Sequence, residues 1–255
     1  MAVDEALLMA AATENVATLR FYEWDEPTLS LGYFQSYEER AQHTASHDCS
    51  VVRRQSGGGA ILHDRELTYS LTLPASHPLA RNTPQLYSAI HQAIIGLLTR
   101  LTPEGDPAWK LSLHCPDKRS SGSRQASYEG EPFLCFERRA PGDIVMAAAA
   151  SLLDPGAHSQ NWKIVGSAQR RHHGAILQHG SLLLARSPAA PELPGYCDLT
   201  GAAITASTLT STLSTSIGQV LGTLVEVGDL PAPIVDVARN IERDKYASES
   251  WTRRR

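Results

Sequence analysis

Three consecutive glycines, Gly57 to Gly59, interrupt the run VVRRQSGGGAILHDRELTYSL that spans Val51 to Leu71. Arg53 and Arg54 precede them, and His63 and Asp64 follow. Glycine has no Cβ, so a ligand can lie directly against such a backbone. Successive free N–H groups in that setting suit an anion or a polarised carbonyl. The apolar flanks, Val51-Val52 and Ala60-Ile61-Leu62, place the glycines between two buried strands rather than in a linker. A plain Gly-Gly hairpin turn is the alternative; the neighbouring cations and imidazole favour a binding loop.

Two further stretches concentrate reactive side chains. In NWKIVGSAQRRHHGAILQHGSLLL (161–184), Lys163 lies just before a glycine turn, Gly166-Ser167. An ammonium there could sit over a bound carbonyl or phosphate; the alternative is a snorkelling surface lysine. His172 and His173 follow two arginines and read as solvent-exposed. His179, at the head of an apolar strand, reads equally as a structural or a site histidine. In EPFLCFERRAPGDI (131–144), Cys135 lies between Leu134 and Phe136. It is either a buried small hydrophobe or a nucleophile whose thiolate is stabilised by a cation such as Lys163.

The elements that must carry these residues follow from periodicity and punctuation. Asp4–Glu14 predicts a helix, Thr18–Trp24 and Thr28–Tyr33 strands, and Tyr37–Ser46 a polar helix. Strands flank the glycines, and Leu67–Leu73 is a strand closed by Pro74. Thr83-Pro84 opens an amphipathic helix with Leu86, Ile90, Ala93, Ile94, Leu97 and Leu98 on one face. Thr102 to Glu131 reads as irregular, with SSGSRQASYEGEP a mobile loop. Pro132–Glu137 and Asp143–Ala150 read as short strands, Asp154–Asn161 as an interruption, and Lys163–Arg171 and Ala175–Ala185 as strands. Ser207–Leu224 and Ile234–Lys245 read as helices. The lack of a strict βαβ period favours a mixed sheet over a doubly wound one.

A chain of 255 residues, 42% hydrophobic and 20% charged, fits one soluble globular domain. A net charge of −4 gives no support for nucleic-acid binding. Cys49, Cys115, Cys135 and Cys197 form no CxxC pair, so neither a metal site nor a redox motif is indicated. The acidic start MAVDEALLMAAATEN is unlike a secretory signal, and no apolar run reaches membrane-spanning length. These features predict a cytoplasmic protein with free thiols and no membrane contact.

RRQSGGGAILHD, KIVGSAQRR and LQHGSLLL, in this order, resemble the catalytic core of the lipoate–protein ligase, octanoyltransferase and biotin ligase superfamily. DEALL, FYEWDEPTLSLGYFQ and RDKYASESW extend the resemblance over nearly the whole chain. The biotin ligases carry a different Gly/Arg-rich loop. CFERRAPGDI resembles the Cys-Phe segment of the cysteine-dependent octanoyltransferases and amidotransferases. The resemblance implies a biotin/lipoate ligase-like α+β fold, with one catalytic domain over 1–255, a mixed, largely antiparallel sheet flanked by helices and a C-terminal helical extension from about 225, and catalytic roles for Cys135 and Lys163. It further implies acyl or lipoyl binding by Arg54, Ser56, Gly57, Gly58, Gly59, Ala60 and His63, and by Gly166, Ser167, Ala168, His179 and Gly180. Cys197, in ELPGYCDLTG, lies near where another octanoyltransferase branch keeps its cysteine and is a rival nucleophile. The stretch MAAAASLLDPGAHSQNW before Lys163 departs from the family's tight turn.

The implied activity is transfer of octanoyl from acyl carrier protein, through a cysteine thioester, to a lysine of a lipoyl-type domain (glycine cleavage H protein or a dehydrogenase E2 subunit). No cofactor is then required. A short ATP-dependent lipoate ligase, using ATP and Mg, and an octanoyl amidotransferase between lipoyl domains are the alternatives. An octanoyl chain needs apolar walls, for which Val51, Ile61 and Leu71 are candidates. An acidic carrier needs a basic face. The doublets Arg53-Arg54, Arg138-Arg139 and Arg170-Arg171 are candidates, Arg138-Arg139 first, with at most one of Arg53 and Arg54 facing outward.

Overall fold

The computed structural model describes residues 1–104, 109–115, 131–148, 161–222 and 225–255. Helix α1 (Ala2–Thr13) leads into strands β1 (Thr18–Tyr22), β2 (Thr28–Leu31), β3 (Ser50–Arg53), β4 (Ile61–His63) and β5 (Glu66–Leu73). Helix α2 (Thr83–Leu101) follows, started by the Asn82 side chain, which accepts the Gln85 N–H at 3.1 Å, and by Pro84 in its first turn. Then come β6 (Trp109–Leu113), β7 (Ile144–Ala148), β8 (Trp162–His172) and β9 (Ala175–Leu183). Helices α3 (Tyr196–Thr200), α4 (Ala206–Leu221), α5 (Ala232–Ile241) and α6 (Glu249–Thr252) complete the described chain.

The fold is α+β. Six strands form an antiparallel sheet in the order β1-β5-β9-β8-β7-β6. Leu86, Ile90, Ile94, Leu97 and Leu98 of α2, with Leu209, Leu213 and Ile217 of α4, cover one face. Helix α1 covers the other, setting Leu8 and Ala11 against Ala175 and Leu177 of β9. Helix α5 packs on α1 through Ile234 and Ala238. No described helix is long and apolar enough to cross a membrane.

A second, three-stranded sheet has the order β3-β2-β4, with β3 parallel and β4 antiparallel to β2. The glycine loop therefore does not close a hairpin. It crosses from one side of β2 to the other, which leaves its backbone free of ladder bonds. Leu29, Leu31, Leu62, Phe133, Leu134 and Phe136 form a separate core beneath this sheet.

Several sequence expectations are corrected here. Pro132–Glu137 is not a strand: Leu134 makes one parallel bridge to Ala60, and Cys135–Glu137 is a 3₁₀ turn. Its buried Phe133, Leu134 and Phe136 give an apolar run that short strands and short turns share. Tyr37–Ser46 forms two 3₁₀ turns, Glu38–Gln42 and Thr44–Ser46. The irregular stretch from Thr102 contains β6, paired with β7. Gly166-Ser167 is mid-strand in β8, paired with Ser181 and Gly180, and not a turn. Helix α5 ends at Ile241 and passes into a wider π turn, Glu242–Tyr246. The mobile-loop expectation over 120–132 and the insertion before Lys163 fall largely outside the described residues.

Candidate active site

The glycine loop, the Cys135 turn and strands β8 and β9 enclose a cavity of about 330 Å³. That size suits a small ligand, since such sites run from roughly 300 to 1,000 Å³. Cys135 and Lys163 face each other across it. Lys163 Nζ lies 3.5 Å from Cys135 Sγ and donates to the Cys135 carbonyl at 3.2 Å. Its third partner is Asp143, at 2.8 Å from Nζ. Lys163 is 5% exposed and Asp143 1%, so the lysine is no surface snorkeller. A buried ion pair of this kind holds only with further hydrogen bonds on the carboxylate. Asp143 has them: Tyr87 Oη donates to Oδ1 at 2.9 Å and the Ala140 N–H to Oδ2 at 2.7 Å.

Gly166 makes the approach possible. A Cβ there would lie 2.5 Å from Lys163 Cε and 2.8 Å from Nζ, so the lysine side chain lies directly over the glycine. Behind Ser167, a buried chain runs from Tyr69 Oη (2.6 Å) through Ser167 Oγ to His91 Nε2 (2.7 Å). His91 Nδ1 is 2.7 Å from the Gly142 carbonyl, so Nδ1 carries the proton and Nε2 accepts. Burial lowers His91 to about 4, and the imidazole is neutral. This network fixes residue 142, next to Asp143, against β8.

The glycine loop is braced by Arg54. Its guanidinium donates to the Ser30, Gly57 and Gly59 carbonyls at 2.7, 2.9 and 2.6 Å. Burial brings Arg54 down to about 10, opposed by the nearby Cys135, and it stays charged at neutral pH. Gly58 adopts φ +96°, and its Cβ position would lie 4.0 Å from Cys135 Sγ. Among the described residues, the Gly57, Gly58 and Gly59 N–H groups donate to nothing in the protein. The Cys135 turn is stitched to the loop's end: Ala60 N–H donates to Phe133 O and Cys135 N–H to Ala60 O, at 3.1 and 2.7 Å.

Two histidines reach the cavity. His179 Nε2 contacts Ser56 Oγ at 2.6 Å and its Nδ1 is 3.5 Å from Asp4. Burial would raise Asp4, but His179 and Arg20 outweigh it and hold the carboxyl well below the usual range. His179 itself is lowered by burial. His63 Nδ1 lies 2.6 Å from Glu66 Oε1, and its ring stacks on Trp24 at 4.2 Å. His63 Nε2 is buried with no partner in the protein.

Of the residues singled out in the sequence, Arg54, Gly57, Gly58, His63, Cys135, Lys163, Gly166, Ser167, Ala168, His179 and Gly180 line the cavity. Ser56, Gly59 and Ala60 stand behind it. Ile61 is on the wall, but Leu71 is in the main core and Val51 packs on the small one. Cys197 lies off the cavity, packed against the main core with Sγ 3.6 Å from the Ile204 carbonyl. Neither Arg53 nor Arg54 faces outward: Arg53 is fully buried, donating to the Gly32 and Gln35 carbonyls, and Arg54, just past the end of the strand, turns in to the loop carbonyls. Arg138, first choice for docking, is half-buried and paired with Glu131 at 2.7 Å, and Arg139 donates to the Asn161 carbonyl.

Sequence reasoning missed Asp143, Tyr87 and His91. The signal available for Asp143 was its place between the Pro141-Gly142 turn and the apolar run that begins at Ile144. Among the described residues, no group of three His, Cys, Asp or Glu is placed to hold a metal ion.

Residues 1–190 match the lipoyl protein ligase A/B catalytic domain. The whole chain is 30% identical to an octanoyltransferase LipM of Kyrpidia tusciae and covers 94% of it. Over 72% of the chain it is 36% identical to the octanoyltransferase LipM of Oceanobacillus iheyensis, of which it covers 59%. The fold is shared with a putative lipoate protein ligase from T. acidophilum with bound lipoic acid, at TM-score 0.69 and 19% identity over all of this chain and 92% of that one. Lipoate-protein ligase A bound with ATP gives TM-score 0.68 at 19% identity, over 99% of this chain and 92% of that one.

Proposed function

Because this chain belongs to the lipoyl protein ligase A/B catalytic-domain family, we propose that it is an octanoyltransferase. In this reading it takes octanoyl from acyl carrier protein as a Cys135 thioester and delivers it to a lysine of a lipoyl-type domain. The relatives named as octanoyltransferases support the acyl group and the reaction. The observation that carries the mechanism is the Lys163 ammonium 3.5 Å from Cys135 Sγ on the cavity wall.

An ammonium at that distance stabilises negative charge on sulfur. The thiolate attacks the thioester carbonyl, the carrier thiolate leaves, and the octanoyl chain stays on Cys135. The Lys163 N–H that faced sulfur is then free to meet the oxyanion, while Asp143 and the Cys135 carbonyl keep the other two N–H bonds in place. Removing one such donor from a preorganised site typically costs 10²–10³ in rate. In the second half, the acceptor amine attacks the enzyme thioester and Cys135 leaves as thiolate. The amine must shed a proton. His63 Nε2 is suited to take it, being unpartnered and aligned through Nδ1 by Glu66. A thioester is already activated, so this route needs no nucleotide.

The test is intact mass spectrometry of the protein mixed with octanoyl carrier protein, with and without ATP. One octanoyl group should appear without ATP and be lost to hydroxylamine. Acylation from free octanoate only with ATP would make the chain a ligase instead.

A further inference from the structure

Behind the glycine loop lies a second, smaller cavity of about 220 Å³. Tyr33, Gln55, Arg170, His172 and Trp251 form most of its wall, with Glu5 and Lys245 on the α1 side. Gln55 is 8% exposed, yet its Nε2 has no hydrogen-bond partner. A buried amide donor left unmade costs free energy that a ligand acceptor recovers. Arg170 pairs with no carboxylate among the described residues, and neither does Arg254, which lies 4.2 Å from the Tyr33 ring and 4.7 Å from the Trp251 ring. The one acid in the wall, Glu5, is taken up by Lys245 Nζ and Tyr246 Oη, each at 2.7 Å. The chain's net charge is −4, so an unpaired guanidinium in the wall beside an orphaned amide, with a second against the Tyr33 and Trp251 rings, is a local reversal of sign.

The stretch from Gln55 to Gly58 contributes to the walls of both cavities. Gln55 faces this one, whereas Gly57 and Gly58 face the other. Four residues of extended chain span at most about 14 Å, which bounds the backbone path from Gln55 to Gly58, and the Gly58 Cβ position lies 4.0 Å from Cys135 Sγ. An acyl carrier presents its thioester on a phosphodiester-linked pantetheine arm, with a dozen bonds between phosphate and sulfur, the length of four residues. That arm holds two amides, and the cavity wall it would cross offers the unpartnered N–H groups of Gly57 and Gly58.

We infer that this second cavity binds the phosphate of the carrier's phosphopantetheine arm, held by Arg170, Arg254 and the Gln55 amide, with the arm lying over Gly57 and Gly58 to reach Cys135. The inference rests on the octanoyl-transfer reading for its ligand, but the binding can be read without turnover.

The experiment is calorimetric titration of the full chain with 4′-phosphopantetheine and with pantetheine. The phosphorylated compound should bind at least ~10-fold more tightly, as a hydrogen-bonded charge contact implies. Arg170→Ala and Gln55→Leu should each erode that preference, and the pair should abolish it. Acylation of Cys135 by S-octanoyl-4′-phosphopantetheine should show the same preference over S-octanoyl-pantetheine, with equal rates at saturation. No preference in the wild-type chain, or one that survives Arg170→Ala combined with Arg254→Ala, overturns the inference. Tight phosphate-dependent binding without acylation would leave the anion site standing and overturn the transferase reading instead.

Discussion

Gly166→Ala isolates the placement of the Lys163 ammonium from its chemistry. The added methyl would lie 2.5 Å from Cε and 2.8 Å from Nζ. Ordinary contact begins near 3.4 Å, so the end of the lysine must move by about 1 Å. The Sγ contact, at 3.5 Å, is the longest of its three and is lost first, while the 2.8 Å pair with Asp143 can follow the swing. A misplacement of about 1 Å at a reacting centre costs about 10²-fold. Single-turnover acylation of Cys135, followed by quenched intact mass, should therefore slow about 100-fold, with donor binding little changed. The buried ion pair survives, and Gly→Ala at a position of ordinary φ trims the entropy of the unfolded chain. The urea midpoint should then correspond to a stability within ~1 kcal/mol of wild type. Acylation within about twofold of the wild-type rate would refute the idea that Lys163 acts from the position seen. A slow variant that is also several kcal/mol less stable would refute the claim that only placement was disturbed.

Three further outcomes follow from the same geometry. Cys135→Ser should abolish the octanoyl adduct while Cys197→Ser keeps it; an inactive Cys197→Ser that still folds would move the nucleophile. Asp143→Asn leaves the buried Lys163 ammonium without its counter-charge and should cost ~3–5 kcal/mol in urea unfolding, with a loss of activity in the fraction still folded; an unchanged midpoint would mean the pair is not held as seen. His91 is lowered by burial from 6.5 to about 4, so protons favour the unfolded chain: its contribution is complete above pH 6.5 and is lost as pH falls towards 4, up to ~3 kcal/mol. His91→Gln should flatten that limb of the stability–pH curve, and a curve of unchanged slope between pH 4 and 6.5 would exclude His91 as its source.

What was legible in the sequence was local. The period of α2, the apolar run of β9 and the glycine triplet each announce themselves within a dozen residues, and the structure finds them with ends shifted by one or two positions. The non-local part was hidden. Nothing in the glycine motif says that β2, some 25 residues earlier, inserts between β3 and β4. Strand alternation allowed at most one outward arginine at 53–54, and neither is outward: Arg53 is held by the Gly32 and Gln35 carbonyls, and Arg54, past the end of the strand, turns in to bind the carbonyls of the loop. Lysine's usual surface habit argued against Lys163. The exception needed Asp143, Tyr87 and the empty space over Gly166, from three separate elements.

Gly166 carries the wider point. Read locally, a glycine after two apolar residues is a turn signal, and that reading is wrong because the glycine is paired on β9 in the middle of a strand. Glycine in a strand interior is unfavourable by roughly 0.5–1 kcal/mol, so a strand keeps one where another group must lie against the backbone. Here the group is an ammonium with a carboxylate on one side and a thiol on the other. A Cys–Lys pair at 3.5 Å could be a chance contact between mobile side chains. A Cys–Lys pair in which the lysine is 5% exposed, counter-charged and seated on a glycine that leaves it room has been fixed in place from three directions. That over-determination is what a preorganised acyl-transfer site requires, because a donor that must reorient during the reaction gives back much of the stabilisation it supplies.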